Sequence, residues 1–475
     1  MSMMPPTGPG DPRPGAPPPG APIDDPLARA TAQHAEEAAR RMRQEAEKRR
    51  ASARLTRIAL FAALLVALAG AYWVFSPREA TKPVEAWERR VAAGTRVTGP
   101  SFGVSPDGKW FALAWAEGGT LWWMRGTREV TGRFRFDAPT AIPDQEHPFT
   151  AFDEDPPKAA VDDDGQVAVA WMTRPAGRAE GSVIAVARPN LDRDGAVAIT
   201  RIEPLDPTAF YLCESIQYDD DGGLLAVWID GGPAQDSQGE VGTLRCATAP
   251  AQGPFETTAL LADSVCACCR TSISWFGPDT FALSWRGVDA ENSRDVRFAV
   301  LRERGLDGAG TPVLDPESRA RVREDGWKLD GCPSHGPVVA AIGDKGAWVT
   351  WFTEGTPPGL SLAKLDRRHG VEGFRWGPRE TFEVDARTKA AHPYVVTLGS
   401  GRPFTVFEGP TPEGGRALYG RTMTRKGLGP PVRFTTATRP SRPVAIRWGG
   451  NAAIIAWSES DEYGTRLAIA EWKGL

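Results

Sequence analysis

The stretch Asp162-Asp-Asp-Gly-Gln-Val-Ala-Val-Ala-Trp171 passes from a turn sequence into a short apolar run that closes on tryptophan. It returns 57 residues later as Asp219-Asp-Asp-Gly-Gly-Leu-Leu-Ala-Val-Trp228. Asp and Gly supply the positive-φ positions of a tight hairpin turn, and an apolar run this short fits a buried strand. The same plan recurs at Trp110–Trp115, Phe281–Trp285, Ala347–Trp351, Pro403–Phe407 and Ala452–Trp457. With the closing aromatic as a ruler, the intervals are 56, 57, 57, 66, 56 and 50 residues. Each unit has room for one or two further strand-like runs, such as Ser182–Ala187 and Ala196–Ile202. Four strands in about 56 residues make one propeller blade. Seven units predict an all-β, seven-bladed β-propeller over residues 87–475. The last unit ends with its third strand, Arg466–Trp472, so a seam strand within Glu88–Val97 is expected to complete it.

The ruler accounts for the tryptophans. Sixteen of the 17 lie beyond residue 75, and those closing the second strands are expected to pack between neighbouring blades. The rest of the composition excludes several classes. The 51 Gly and 42 Pro rule out a long coiled coil, and six Cys in 475 residues rule out a disulfide-dense small domain. With 56 Lys+Arg against 60 Asp+Glu, the chain is no polybasic nucleic-acid binder.

The first 86 residues read as an address. Residues 1–26 hold ten prolines and almost no large apolar side chain, which predicts a disordered tail. Residues 27–57 switch to Ala, Glu, Arg and Gln, as in Glu36-Glu37-Ala-Ala-Arg40-Arg41, and predict a charged helix. Ile58 to Phe75 then runs 18 residues without a charge, with Tyr72 and Trp73 where an interfacial belt belongs. This reads as a single transmembrane helix, followed by a linker at 76–86. Lys48, Arg49, Arg50, Arg54 and Arg57 precede the span, which places the N-terminus in the cytoplasm and the propeller on the exported, periplasmic side of the inner membrane. Residues 1–57 carry net +3, so the remainder of a chain at -4 carries -7. An acidic body of that kind suits neither nucleic acid nor anionic lipid.

First strands of propeller blades line the central channel and begin around one mouth. The residues about fifteen positions before each ruler aromatic are Pro100/Ser101, Pro156, Cys213, Arg270, His335, His392 and Arg442. Arg270, His335, His392 and Arg442 are therefore candidates for a cationic mouth that binds a carboxylate or phosphate. The bland alternative is that each holds a loop through a local acid or carbonyl. Cys266, Cys268, Cys269 and Cys332 open two adjacent blades, with Cys213 nearby. In an exported domain disulfides are the first reading, a Cys/His335 soft-metal site the second and a catalytic thiol the third. Cys246 falls at the end of a third strand, away from them. The acidic runs Asp153-Glu154-Asp155 and Asp162-Asp163-Asp164 lack the ligand spacing of a calcium loop, and turn chemistry explains the second. No residue pattern requires a cofactor.

Cys-Ala-Cys-Cys-Arg-Thr-Ser at 266–272, Phe281–Trp285, Asp325-Gly326-Trp327 and Gly331-Cys332-Pro333 resemble exported bacterial members of the sialidase-like propeller superfamily. The resemblance implies a β-propeller and, in true sialidases, release of terminal sialic acids by an arginine cluster, a Tyr nucleophile and an Asp acid/base. Ser105-Pro106-Asp107-Gly108-Lys109-Trp110 departs from the spacing of the family's Asp box, and seven units exceed its six blades. Catalytic roles do not transfer residue by residue. The resulting expectation is a membrane-anchored, non-catalytic scaffold for a periplasmic protein or ligand, the alternative a sialidase-like hydrolase or acidic-carbohydrate binder.

Overall fold

A computed structural model describes most of residues 34–63 and 84–473. Cys332 and, among longer stretches, 64–83, 175–180, 190–196, 234–240, 303–319 and 383–389 lie outside the described residues. The chain divides into two units, Met1–Glu79 and Ala80–Leu475.

In the first unit the described positions between 34 and 63 are helical. Arg40 pairs with Glu36 one turn before it at 3.2 Å, the i,i+4 contact that the composition implies. No helix among the described residues is long and apolar enough to cross a membrane. The expected span 58–75 is helical over 58–63, and its remaining residues lie outside the described set.

The second unit consists of seven antiparallel sheets. Blade 1 is built from Val97–Val104, Trp110–Glu117, Thr120–Arg128 and Phe134–Phe136. Blade 2 begins at Lys158–Val161, blade 3 at Ala209–Tyr218, blade 4 at Ser272–Gly277 and blade 5 at Val338–Ala341. Blade 6 begins at Ala391–Thr397 and blade 7 at Arg439–Trp448. Each first strand packs against the first strands before and after it, and blade 7 packs back on blade 1, so the ring closes. The fold is a seven-bladed β-propeller.

Closure comes from the strand Val84–Ala92, which pairs antiparallel with Gly464–Lys473 and becomes the fourth strand of blade 7. The seam therefore starts at Val84, ahead of the expected Glu88–Val97 and of the boundary at 87. Packing sets the shift, because Trp87 must reach Trp115, whose ring centroid lies 6.1 Å from its own. The hairpin turns hold the positive φ that their residues suggested, with Gly165 at 82° and Gly222 at 81°. Asp162 Oδ1 accepts from the backbone N–H of Asp164 and Gln166, so its acidic run is turn chemistry.

Seven apolar cores lie between successive blades, and each contains one ruler aromatic. Trp171 sits in the core shared by blades 1 and 2, Trp228 in that of blades 2 and 3, and Trp285 in that of blades 3 and 4. Trp351, Phe407, Trp457 and Trp115 complete the series around the ring. Each lies against the blade preceding its own. Truncating such a side chain leaves a cavity that neighbouring sheets cannot fill, at a cost of about 3–5 kcal/mol. Trp171→Ala should therefore lower the thermal midpoint by many degrees, whereas Leu205→Ala, at a position 74% exposed, should leave it within about one degree. Equal shifts for the two variants in thermal melts would contradict this account of the core.

Candidate functional site

The first and second strands of four blades slip register at the same level. The shifts fall between Thr98 and Ser101, Leu212 and Ser215, Ala391 and Tyr394, and Ser441 and Val444. Such bulges leave residues outside the ladder and re-aim their side chains. The residues released are Gly99-Pro100, Cys213-Glu214, His392-Pro393 and Arg442-Pro443, of which Gly99, Pro100, His392 and Arg442 line the channel mouth.

A cavity of about 380 Å³ opens there, lined by Arg270, His392 and Arg442 together with Lys158, Tyr394 and Glu408. Ser101, Ser215, Gln217 and Thr271 add neutral polar groups to the wall. Three of the four expected cationic residues thus share one cavity. Arg270 enters it past Gly336, where an added Cβ would lie 2.1 Å from the Arg270 carbonyl oxygen. The fourth residue, His335, stands behind the wall. Its ring lies 4.8 Å from that of His392 and 4.6 Å from that of Phe352. Burial first, then the nearby His392 and the arginines 286, 270 and 442, depress the His335 pKa to about 2, so it is neutral. Arg270 and Arg442 are the permanent charges of the expected set.

Polar contacts tie every neighbouring pair of blades together, all but that of blades 5 and 6 near this level. Ser101 Oγ donates to the Pro157 carbonyl, and the Cys213 N–H donates to Asp155 Oδ2 at 2.7 Å. Ser215 Oγ donates to the Thr271 carbonyl at 3.0 Å. Arg286 Nε and Nη2 donate to the His335 carbonyl, and Nη2 also reaches that of Phe352. Thr397 Oγ1 donates to the Ala340 carbonyl, the Arg442 N–H to Glu408 Oε1 at 2.7 Å, and Ser458 Oγ to the Gly99 carbonyl. The mouth is a belt of fixed donors and acceptors.

Two of its carboxylates are already engaged. Glu408 takes His392 Nδ1 at 2.8 Å, Arg416 at 3.3 Å and the Arg442 N–H. Burial opposes ionisation of Glu408, yet these contacts with His392 and Arg416 bring its pKa below the usual carboxylate value. Asp155, 0% exposed, pairs with Lys158 at 3.0 Å. Burial disfavours the Lys158 cation, but Asp155 and Glu214 outweigh it and raise its pKa. Glu214 is buried beside this pair, and burial followed by the Asp155 charge pushes its carboxyl well above the ordinary value. Glu408 and Asp155 are held by cationic partners, and the Glu214 carboxyl, with no hydrogen-bond partner on either oxygen, is kept protonated.

Sequence reasoning missed Lys158, Asp155, Glu214, Glu408 and Arg286 as parts of this site. For two of them a signal was available. The residue after each ruler aromatic is Ala116, Met172, Ile229, Arg286, Phe352, Glu408 or Ser458, and the two charged members both work at the mouth.

Of the expected cysteine group, Cys266, Cys268 and Cys269 come together with their sulfurs within 4.8 Å of one another, and Cys332 lies outside the described residues. Cys213 stands apart, its Sγ 3.9 Å from the Ala267 carbonyl, and Cys246 is buried in the core between blades 3 and 4. Cys268 is disulfide-bonded, while Cys266 and Cys269 carry thiols. Among the described residues, two thiols fall short of the ligand set that a structural zinc takes, and the His335 ring packs on His392 and Phe352.

No family model matches the chain, and no curated protein sequence matches it. Solved structures do. An ulvan lyase of polysaccharide lyase family PL25, bound to -[GlcA(1-4)Rha3S]-, is 11% identical with a TM-score of 0.49, covering 81% of this chain and 96% of that one. The Hadza microbial sialidase Hz136 is 12% identical with a TM-score of 0.41, covering 76% of each chain. A protein of unknown function from Dyadobacter fermentans is 14% identical with a TM-score of 0.42, covering 83% of this chain and 100% of that one. These are likenesses of fold, and the propeller assignment rests on this chain's own seven sheets.

The Glu214 carboxyl gives the site a pH signature. Its folded pKa is raised, so the fold keeps the proton that the unfolded chain releases near 4.5. Stability must then fall as pH rises from that value towards the folded pKa. Glu214→Gln removes this slope. It should melt above the parent protein at pH 7–8 and close to it at pH 4. A variant less stable than the parent by the same margin at both pH values would show that the carboxyl is not held protonated.

Proposed function

We propose that the propeller is a non-catalytic receptor whose channel mouth binds a small acidic ligand, with an acidic carbohydrate as the class that fits it. One observation carries the reading: Arg270, His392 and Arg442, from three separate blades, line one cavity of about 380 Å³, whose wall also holds Lys158, Glu408 and neutral donors. That volume is in the range of small-molecule sites, and guanidinium groups pair with carboxylates through two parallel hydrogen bonds. Hydroxyl and amide groups at Ser101, Ser215 and Gln217 suit the hydroxyls of a sugar. Hydrolysis would need a carboxylate to activate Tyr394 or a water. Of the described candidates, Glu408 and Asp155 are held by His392, Arg416 and Lys158, and Glu214 keeps its proton. This favours binding over turnover.

The reading includes a membrane address. Ile58, Leu60 and Phe61 are 64%, 66% and 64% exposed on a helix, a costly arrangement in water and an ordinary one in lipid. The basic flank from Lys48 to Arg57 would stay in the cytoplasm, with the propeller facing the periplasm and open to protein partners as well as ligands. The chain should remain in the membrane pellet after alkaline carbonate washing and lose its propeller to protease added outside the inner membrane. Release into the supernatant would refute the anchor.

Titration calorimetry with N-acetylneuraminate and glucuronate tests the mouth. Removing a charge-assisted hydrogen-bond partner costs about 1.5–3 kcal/mol, or roughly 10- to 100-fold in affinity. Arg270→Ala and Arg442→Ala should each weaken binding by that factor, and fluorogenic sialosides should not be turned over. Binding unaltered in both variants would place the ligand elsewhere, and turnover abolished by Tyr394→Phe would make the protein an enzyme.

A further inference from the structure

The cysteine group lies outside the binding site just proposed, and its geometry has a chemistry of its own. Cys266 ends the outermost strand of blade 3, Glu256–Cys266, and Ser272 begins the innermost strand of blade 4. The connection between them, Ala267 to Thr271, holds both remaining sulfurs of the group. Cys266 Sγ lies 3.7 Å from Cys268 Sγ and 3.4 Å from Cys269 Sγ. The first distance is van der Waals contact between a thiol and a sulfur that is already part of a disulfide. The second brings a further thiol into hydrogen-bond contact with the first. Cys266 and Cys269 also stand in the Cys-x-x-Cys spacing of redox-active pairs.

The surroundings favour an anionic sulfur. Arg294 Nη1 donates to Cys266 Sγ at 3.3 Å, and Arg294 and Arg286 are both 0% exposed. Arg286 is itself pinned by the Arg294, His335 and Phe352 carbonyls, so the cationic pair cannot swing away. The hydrogen bond with Cys269 acts first, and the two arginines add to it. Against the opposing effect of burial they bring the Cys266 pKa down to about 6. Burial and the Cys266 charge push the Cys269 thiol the other way. A nucleophile, a disulfide in contact with it and a second thiol in reserve are the three parts of a thiol–disulfide exchange.

We propose that Cys266, Cys268 and Cys269 form an internal thiol–disulfide exchange centre, with Cys266 the attacking sulfur and Cys269 the resolving one. In the first step the Cys266 thiolate bonds to the Cys268 sulfur. The bond from Cys268 to its present partner breaks, and that partner leaves as a thiolate and takes up the proton that Cys266 gave up. In the second step the Cys269 sulfur attacks Cys266. The Cys266–Cys269 bond forms, the Cys266–Cys268 bond breaks, and Cys268 departs as the thiolate that receives the Cys269 proton. One disulfide is consumed and one is formed, so no oxidant or reductant is required. The exchange replaces the disulfide at Cys268 with one between Cys266 and Cys269, the residue directly before Arg270.

The test is a disulfide map of the full chain, incubated across pH 5–9 with a trace of glutathione, quenched in acid, alkylated and digested without reduction. The expected map contains two isomers, one with Cys268 in its present disulfide and one with Cys266 joined to Cys269. Their interconversion should accelerate through about pH 6, the region of the Cys266 thiol. Cys266→Ser should be locked in the first isomer, and Arg294→Gln should exchange about tenfold more slowly near pH 6.5 while Arg294→Lys retains most of the rate. The wild-type protein alone can overturn the proposal. A single isomer after prolonged incubation at pH 9 would do so, as would a rate that rises only near the ordinary thiol pKa of about 8.5.

Discussion

Each blade buries one large aromatic side chain, at the end of its second strand, in the core it shares with the blade before it, and that repeated contact sets the level of its strands. Trp115, Trp171, Trp228 and Trp351 are wholly buried, and Trp285, Phe407 and Trp457 nearly so. Because the aromatic closes the second strand, it fixes the height of that strand relative to the preceding sheet. The first strand is paired to the second, so its height is fixed as well. Positions equally far before the aromatic must then come to the same level of the channel. The cavity at the mouth is a consequence of inter-blade packing.

Burying charge at that level would be costly without compensation. The protein meets the cost by making charged groups the links between blades. Asp155 takes the Cys213 N–H and Lys158, Glu408 takes the Arg442 N–H and His392, and Arg286 takes the His335 and Phe352 carbonyls. Groups used in this way are fixed before any ligand arrives, which spares binding the entropy of ordering them. The same commitment leaves the carboxylates poorly suited to general-base work. For Glu408 and Asp155, rigidity and poor suitability as a base have one origin.

The fold was legible because its determinant is local and periodic. A turn of Asp and Gly, an apolar run and a closing aromatic recur in sequence, and seven recurrences become seven sheets. The ruler also carried Arg270, His392 and Arg442 to the mouth, since position along a first strand is what it measures. It could not place the seam, where Val84–Ala92 has no unit of its own and its start is set by Trp87 meeting Trp115. Nor could it reveal Glu214, which depends on a bulge that departs from strict alternation. His335 shows a further limit: it has the right offset from Trp351, but the packing of Phe352 and His392 turns its ring into the wall. Offset gives height in the channel, and only packing gives direction.

The central claim is that side chains from separate blades converge to hold an anion at the mouth. The most direct measurement is a crystal structure of the protein soaked with an acidic monosaccharide such as glucuronate. The account predicts difference density for a carboxylate between the Arg270 and Arg442 guanidinium groups, with the sugar ring against Ser101, Ser215 and Gln217. Those guanidiniums turned away into protein ion pairs, with an empty mouth at saturating ligand, would contradict it.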